Sequence, residues 1–128
     1  MSLVTPLNRV LGLGSAKEGV EHWWGQRLSA VALVALGLWF VLSLIRLDDM
    51  SYATVVSWLQ APVASILMIL TLLTALYHSK LGVQMVVEDY VHQPALKVST
   101  LVLSVFIHIG AAVAGVFAVL KIALGATG

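Results

Sequence analysis

Cysteine is absent from the 128 residues, and charge is scarce: Lys, Arg, Asp and Glu make up 10% of the chain. Without thiols the chain has no structural disulfide, no thiolate zinc site and no ligand for an iron–sulfur cluster. A soluble domain carries roughly 25% charged residues. One folded from this sequence would lack the polar surface to cover its core. The net charge is only +1 and no basic patch rises out of it, so nucleic-acid binding has no electrostatic support. What the chain has in excess is hydrophobic residues, at 60%. That excess calls for lipid as the solvent.

The seven Lys/Arg and six Asp/Glu are clustered, and the gaps between them are long. Leu28 to Ile45, Met50 to Ser79 and Val98 to Leu120 contain none of the four charged types. A membrane span needs roughly 20 mostly apolar residues. Three spans therefore fit, at about 27–46, 61–88 and 97–121. Backbone polar groups in lipid are satisfied only in helices or closed barrels. Strand-like alternation is missing and three segments cannot close a barrel, so the expected fold is an all-α membrane protein with three transmembrane helices. Residues 1–26 form an N-terminal segment outside the spans, and 122–128 a short tail. No internal repeat or second domain is visible.

The N-terminal segment holds no apolar run followed by a small-residue cleavage site, so no cleaved signal peptide is expected. Pro6, Gly12, Gly14 and Gly19 argue for an irregular start. Trp23 and Trp24, and later Trp58, fall where spans meet the interface and read as belt anchors. Pro62 suits a first helical turn, and Pro94 separates spans 2 and 3. One side of the membrane would hold Arg9, Lys17, Arg27, Lys80 and Lys97, and the other Arg46 and Lys121. The positive-inside rule then puts the N-terminus in the cytoplasm and the C-terminus outside.

Span 2 carries the chemistry. Ionisable groups in or at the end of a span are costly and mark function by default. At about 100° per residue, His78, Gly82, Met85 and Asp89 share a face, with His78 about 16 Å deeper than Asp89. Lys80, Gln84 and Glu88 form an adjoining stripe, in which Lys80 suits snorkelling toward headgroups. A histidine at depth can ligate haem, relay a proton or bond another helix. Gly82, one turn along the same face, leaves room for a flat macrocycle, although small residues also serve close helix packing. Asp89-Tyr90 closes the span at the interface, where a Tyr hydroxyl can donate to a carbonyl oxygen. By itself, such a pair reads more simply as an interfacial Tyr beside a solvated Asp. His108, mid-span 3, needs a bond within the bundle, and the small residues Gly110/Ala114/Ala118 and Ala111/Gly115 mark a packing face. His92 reads as a solvated loop group.

The run His78, Gly82, Gln84, Glu88-Asp89-Tyr90-Val91-His92 resembles the signature of the hydrophobic membrane anchor subunit of succinate dehydrogenase. The stretch Trp23-Trp24-Gly25-Gln26-Arg27-Leu28-Ser29 at the head of span 1 is similar as well. The resemblance covers the chain from Glu21 onward, and the block from His78 to Tyr90 is its specific part. It implies that the three spans belong to a heteromeric, haem-binding helix bundle in the bacterial inner membrane, with the C-terminus periplasmic. It implies His78 as one axial ligand of a haem b iron, the other coming from a companion cytochrome b subunit. Gly82 would make room for the haem, and Arg27 would lie near the propionates. Tyr90 and Asp89 would border the ubiquinone site. An iron–sulfur subunit and a flavoprotein subunit would dock on the cytoplasmic side. The chain would complete no reaction alone, because flavin and clusters need ligands it lacks. Two other readings stand beside this one. One is a proton-coupled carrier using His78, Lys80 and Glu88, which three spans without an inverted repeat argue against. The other is a cofactor-free membrane scaffold.

Overall fold

A computed structural model describes residues 17–125. Pro6, Gly12 and Gly14, expected to make the start irregular, together with Arg9 and the last three residues of the tail, lie outside that range. Four helices follow one another: α1 (Lys17–Ile45), α2 (Tyr52–Gln60), α3 (Pro62–Tyr90) and α4 (Pro94–Ala123). No strand occurs among the described residues. Three helices are long and apolar enough to cross a membrane, over Val20–Ile45, Pro62–Tyr90 and Pro94–Ala123.

Two features differ from the sequence expectation. Helix α1 starts ten residues before the expected span, running through Gly19 and carrying His22 to Gln26 on regular backbone. A single glycine costs a helix only about 1 kcal/mol, and the apolar run behind it absorbs that. The connection after span 1 also contains a helix of its own, α2. Ser51 caps it, its hydroxyl accepting from Thr54 N–H at 3.3 Å, while Asp49 accepts from Ser51 N–H at 2.9 Å. Trp58 does not stand free as an anchor. It stacks on Trp39 of α1 with centroids 6.0 Å apart and touches Phe40, pinning α2 to the end of the bundle.

Proline sets the breaks. Residues before proline are pushed to extended backbone, and Ala61 (φ −67°, ψ 126°) and Gln93 (φ −75°, ψ 118°) both adopt it. Ala61 thus ends α2 and starts α3 in one residue. Pro62 and Pro94 sit in the first turns of α3 and α4, where the missing N–H costs little. At the far end, Gly125 at φ 75° closes α4 with its N–H on Ile122 O.

Helix α3 is the middle element. It packs against α1 on one side and α4 on the other. Small residues permit the approaches. A Cβ on Gly25 of α1 would come 2.7 Å from the Tyr77 hydroxyl, and one on Gly115 of α4 would overlap the Leu72 side chain. Gly110 has open space, and Ala111, Ala114 and Ala118 are exposed, so of the expected small-residue face only Gly115 is used inside the chain. Among the described residues few side chains are buried: Ser29, Leu59, Ala64, Ser65, Leu81, Val87 and Val119. The large apolar side chains of all three spans mostly point outward, as lipid-facing residues do.

Candidate functional site

The deep polar cluster lies between α1 and α3. Gln26 and Ser29 are three apart on α1, and His22 lies one turn before Gln26, so all three share the face turned to α3. His78 and Gly82 of α3 point back at them. The His78 Nδ1 lies 2.9 Å from Ser29 Oγ, and its Nε2 lies 3.3 Å from Gln26 Nε2. Ser29 Oγ also lies 2.7 Å from Gly25 O and 3.1 Å from Gln26 O. A hydroxyl has one proton. The short bond to Gly25 O uses it, so Ser29 accepts from His78 Nδ1–H. The Nε2 lone pair then takes the Gln26 amide N–H over a long distance. Gly82 belongs to the same cluster, since a Cβ there would stand 3.9 Å from Gln26 Nε2.

Toward the N-terminal end of α1 the cluster opens into a cleft of about 520 Å³, lined by His22, Trp23, Gln26, Arg27, Met85 and Glu88. Two buried polar atoms on this lining have no partner among the described residues, His22 Nε2 and Gln26 Oε1. Orphaned buried atoms are rare in finished sites. The Arg27 guanidinium lies 5.5 Å from the Trp23 ring centroid and makes no ion pair among the described residues. Trp23 meets Trp24 edge to face, and both are exposed, as belt anchors are.

Asp89 and Tyr90 end α3 beyond the cleft. Both are exposed, Tyr90 at 78%, and no hydrogen bond joins their side chains. The turn behind them is held by Lys97 Nζ, which donates to Glu88 O at 2.8 Å, and by His92 Nδ1 on Tyr90 O at 3.1 Å. Gln84 donates to Glu88 Oε1 at 2.8 Å, and on the flank of α3 turned to α4, Lys80 and Gln84 line a smaller groove with Leu101 and Ser104. His108 belongs to that flank. Its Nδ1–H donates to Ser104 O at 2.7 Å, and its Nε2 accepts from the Ser79 hydroxyl at 3.3 Å. His108 is thus bonded within the bundle, while His78 serves the other interface.

The sequence singles out His78, Gly82, Arg27, Asp89 and Tyr90. The structure gathers His78 and Gly82 in the cluster and puts Arg27 on the adjoining cleft. Asp89 and Tyr90 stand at the helix end without touching them. Gln26, Ser29 and the inward role of His22 are additions from the structure. Their signal was the 22, 26, 29 spacing, which places three polar residues on one helical stripe where an apolar span begins.

Three helices long and apolar enough to cross a membrane, two of them joined by a polar cluster, define a polytopic all-α membrane protein. The pattern of the succinate dehydrogenase/fumarate reductase transmembrane subunit family matches residues 1–119, and the chain belongs to that family. It is 29% identical over 126 residues to the succinate dehydrogenase hydrophobic membrane anchor subunit of Paracoccus denitrificans, covering 98% of this chain and 97% of that one. The protein of the same name from Rickettsia bellii (strain RML369-C) is 35% identical over 92 residues, 72% of this chain and 73% of the relative. The succinate dehydrogenase membrane anchor subunit of Reclinomonas americana is 32% identical over 79 residues, covering 59% of this chain and 66% of that protein. No solved structure matches.

Proposed function

We propose that the chain is the membrane anchor of a succinate:quinone oxidoreductase, binding haem b through His78 and forming part of the ubiquinone site with Tyr90 and Asp89. The observation that carries the reading is His78 itself. It is an imidazole deep in a span, held on one nitrogen by Ser29 and only weakly covered on the other. The residues fit the group. His22 Nε2 and Gln26 Oε1, unsatisfied among the described residues, and Arg27, without an ion pair among them, all line one cleft beside that imidazole. An Arg fork suits carboxylates, so Arg27 would hold a propionate. Bound haem would supply a one-electron carrier in the bundle, held by His78 of this chain and by a residue of the companion cytochrome b subunit.

Tyr90 would donate its hydroxyl to a quinone carbonyl oxygen, and Asp89 would hold a proton beside it. A quinone head is amphipathic, and an exposed position at the end of a span meets both lipid and a docked soluble subunit. With the N-terminus cytoplasmic in the bacterial inner membrane, that end would receive the iron–sulfur and flavoprotein subunits. The proton-carrier reading loses ground, because His78 faces α1 while Lys80 lines the groove with α4.

Tyr90→Phe in the assembled complex tests the quinone assignment. One lost bond to a neutral group is worth roughly 0.5–1.5 kcal/mol, more if the partner stays buried and unpaired. Succinate:quinone reductase activity should fall several-fold to about a hundred-fold, while reduction of a soluble artificial acceptor by succinate persists. Unchanged quinone kinetics would return Tyr90 to the status of an interfacial anchor.

A further inference from the structure

We infer that Ser29 selects the ligating nitrogen of His78, and that Gln26 covers that nitrogen when no haem is bound. The inference rests on the haem reading above and deepens it. Ser29 is buried at 6% exposure. Its hydroxyl proton is committed to Gly25 O at 2.7 Å, so it meets Nδ1 at 2.9 Å as an acceptor only. The ring is thereby held as the Nδ1–H tautomer and fixed in orientation. Nε2 is left as the nitrogen that carries the lone pair, and metals bind that lone pair.

The partner of Nε2 is a provisional one. Gln26 Nε2 lies 3.3 Å away, long for such a bond, and the oxygen of the same amide is buried without a partner. Swinging Gln26 aside gives up one weak bond and frees an atom that is already orphaned. Gly82 lies beside that amide, a Cβ there standing at an ordinary contact distance of 3.9 Å from Gln26 Nε2. Ser29 loses nothing in the exchange, because it binds the far nitrogen. It is therefore a positioning residue, acting on iron through His78. Outer-sphere acceptors of this kind orient a ligating His and raise its basicity.

Two measurements test this. The first uses the haem-free full chain in lipid nanodiscs with 15N-labelled histidine, and reads the His78 tautomer from two-bond 15N–1H correlations, with His78→Ala to assign the signal. The expected result is Nδ1–H in the wild type, loss of that preference in Ser29→Ala, retention in Ser29→Thr and no change in Gln26→Leu. An Nε2–H ring in the wild type, or a tautomer indifferent to Ser29→Ala, overturns the inference. The second uses the assembled complex. Ser29→Ala should make His78 a poorer donor and raise the haem midpoint potential, with Ser29→Thr restoring it, whereas an unmoved potential in Ser29→Ala contradicts the role toward iron. Haem that survives His78→Ala would instead refute the ligand reading, and the first measurement is independent of that outcome.

Discussion

At the residue scale, the candidate site turns on two nitrogens of one imidazole and on one guanidinium. His78 and Arg27 would act on the same haem with different consequences. Arg27 faces the cleft with no carboxylate partner among the described residues. If it pairs a propionate, Arg27→Gln removes a positive charge near the iron and stabilises the ferric state. The midpoint potential should then fall, the opposite of the rise expected for Ser29→Ala, and redox titration of the complex reads both. A potential in Arg27→Gln equal to the wild type would remove Arg27 from the propionates. His78, Gly82, Asp89 and Tyr90 were legible in the sequence because ionisable groups and a glycine stand out in an apolar helix. Ser29 and Gln26 were not. Uncharged polar residues at the head of a span look like interface residues until the partner helix is placed across from them.

At the element scale, the long helices were legible from charge gaps and prolines, and the short one was not. Helix α2 was hidden because its nine residues lie within the charge-free run that leads into span 2. It depends on local bonds. The Thr54 hydroxyl, then the Ser51 hydroxyl and backbone N–H, lower the Asp49 carboxyl from its ordinary 3.8 to about 2. A depressed carboxyl contributes its stabilisation above the unfolded value and loses it as pH falls through the folded one. The start of α2 should therefore loosen between about pH 4 and pH 2, seen as faster amide exchange over residues 51–55. Asp49→Asn should flatten that dependence, and an unchanged pH profile in the variant would show that the carboxyl does not hold the turn.

The glycines of α4 separate in the same way. Gly115→Leu drives a side chain into Leu72, whereas Gly110→Leu meets open space. Overpacking costs about 1–3 kcal/mol. In the isolated chain in detergent, the first should lower thermal stability clearly and the second should not. Equal effects would mean that α4 does not pack on α3 through Gly115. The sequence marked both residues as one packing face. It could not say which row faced inward, because rows of small residues serve contacts within a chain and between chains equally well.

At the scale of the whole molecule, the three spans form an open layer with α3 in the middle and few buried side chains. Outside water, exposed apolar surface carries little penalty, so lipid and neighbouring helices complete what the chain leaves uncovered. The polar cluster is the exception, a set of bonds that fixes α1 against α3 at depth. The measurement closest to the central claim is optical. In the complex purified through this chain, the account predicts low-spin b-type haem bands in the reduced-minus-oxidised spectrum of the wild type and their loss in His78→Ala. Wild-type haem content and an unchanged low-spin spectrum in that variant would contradict the account.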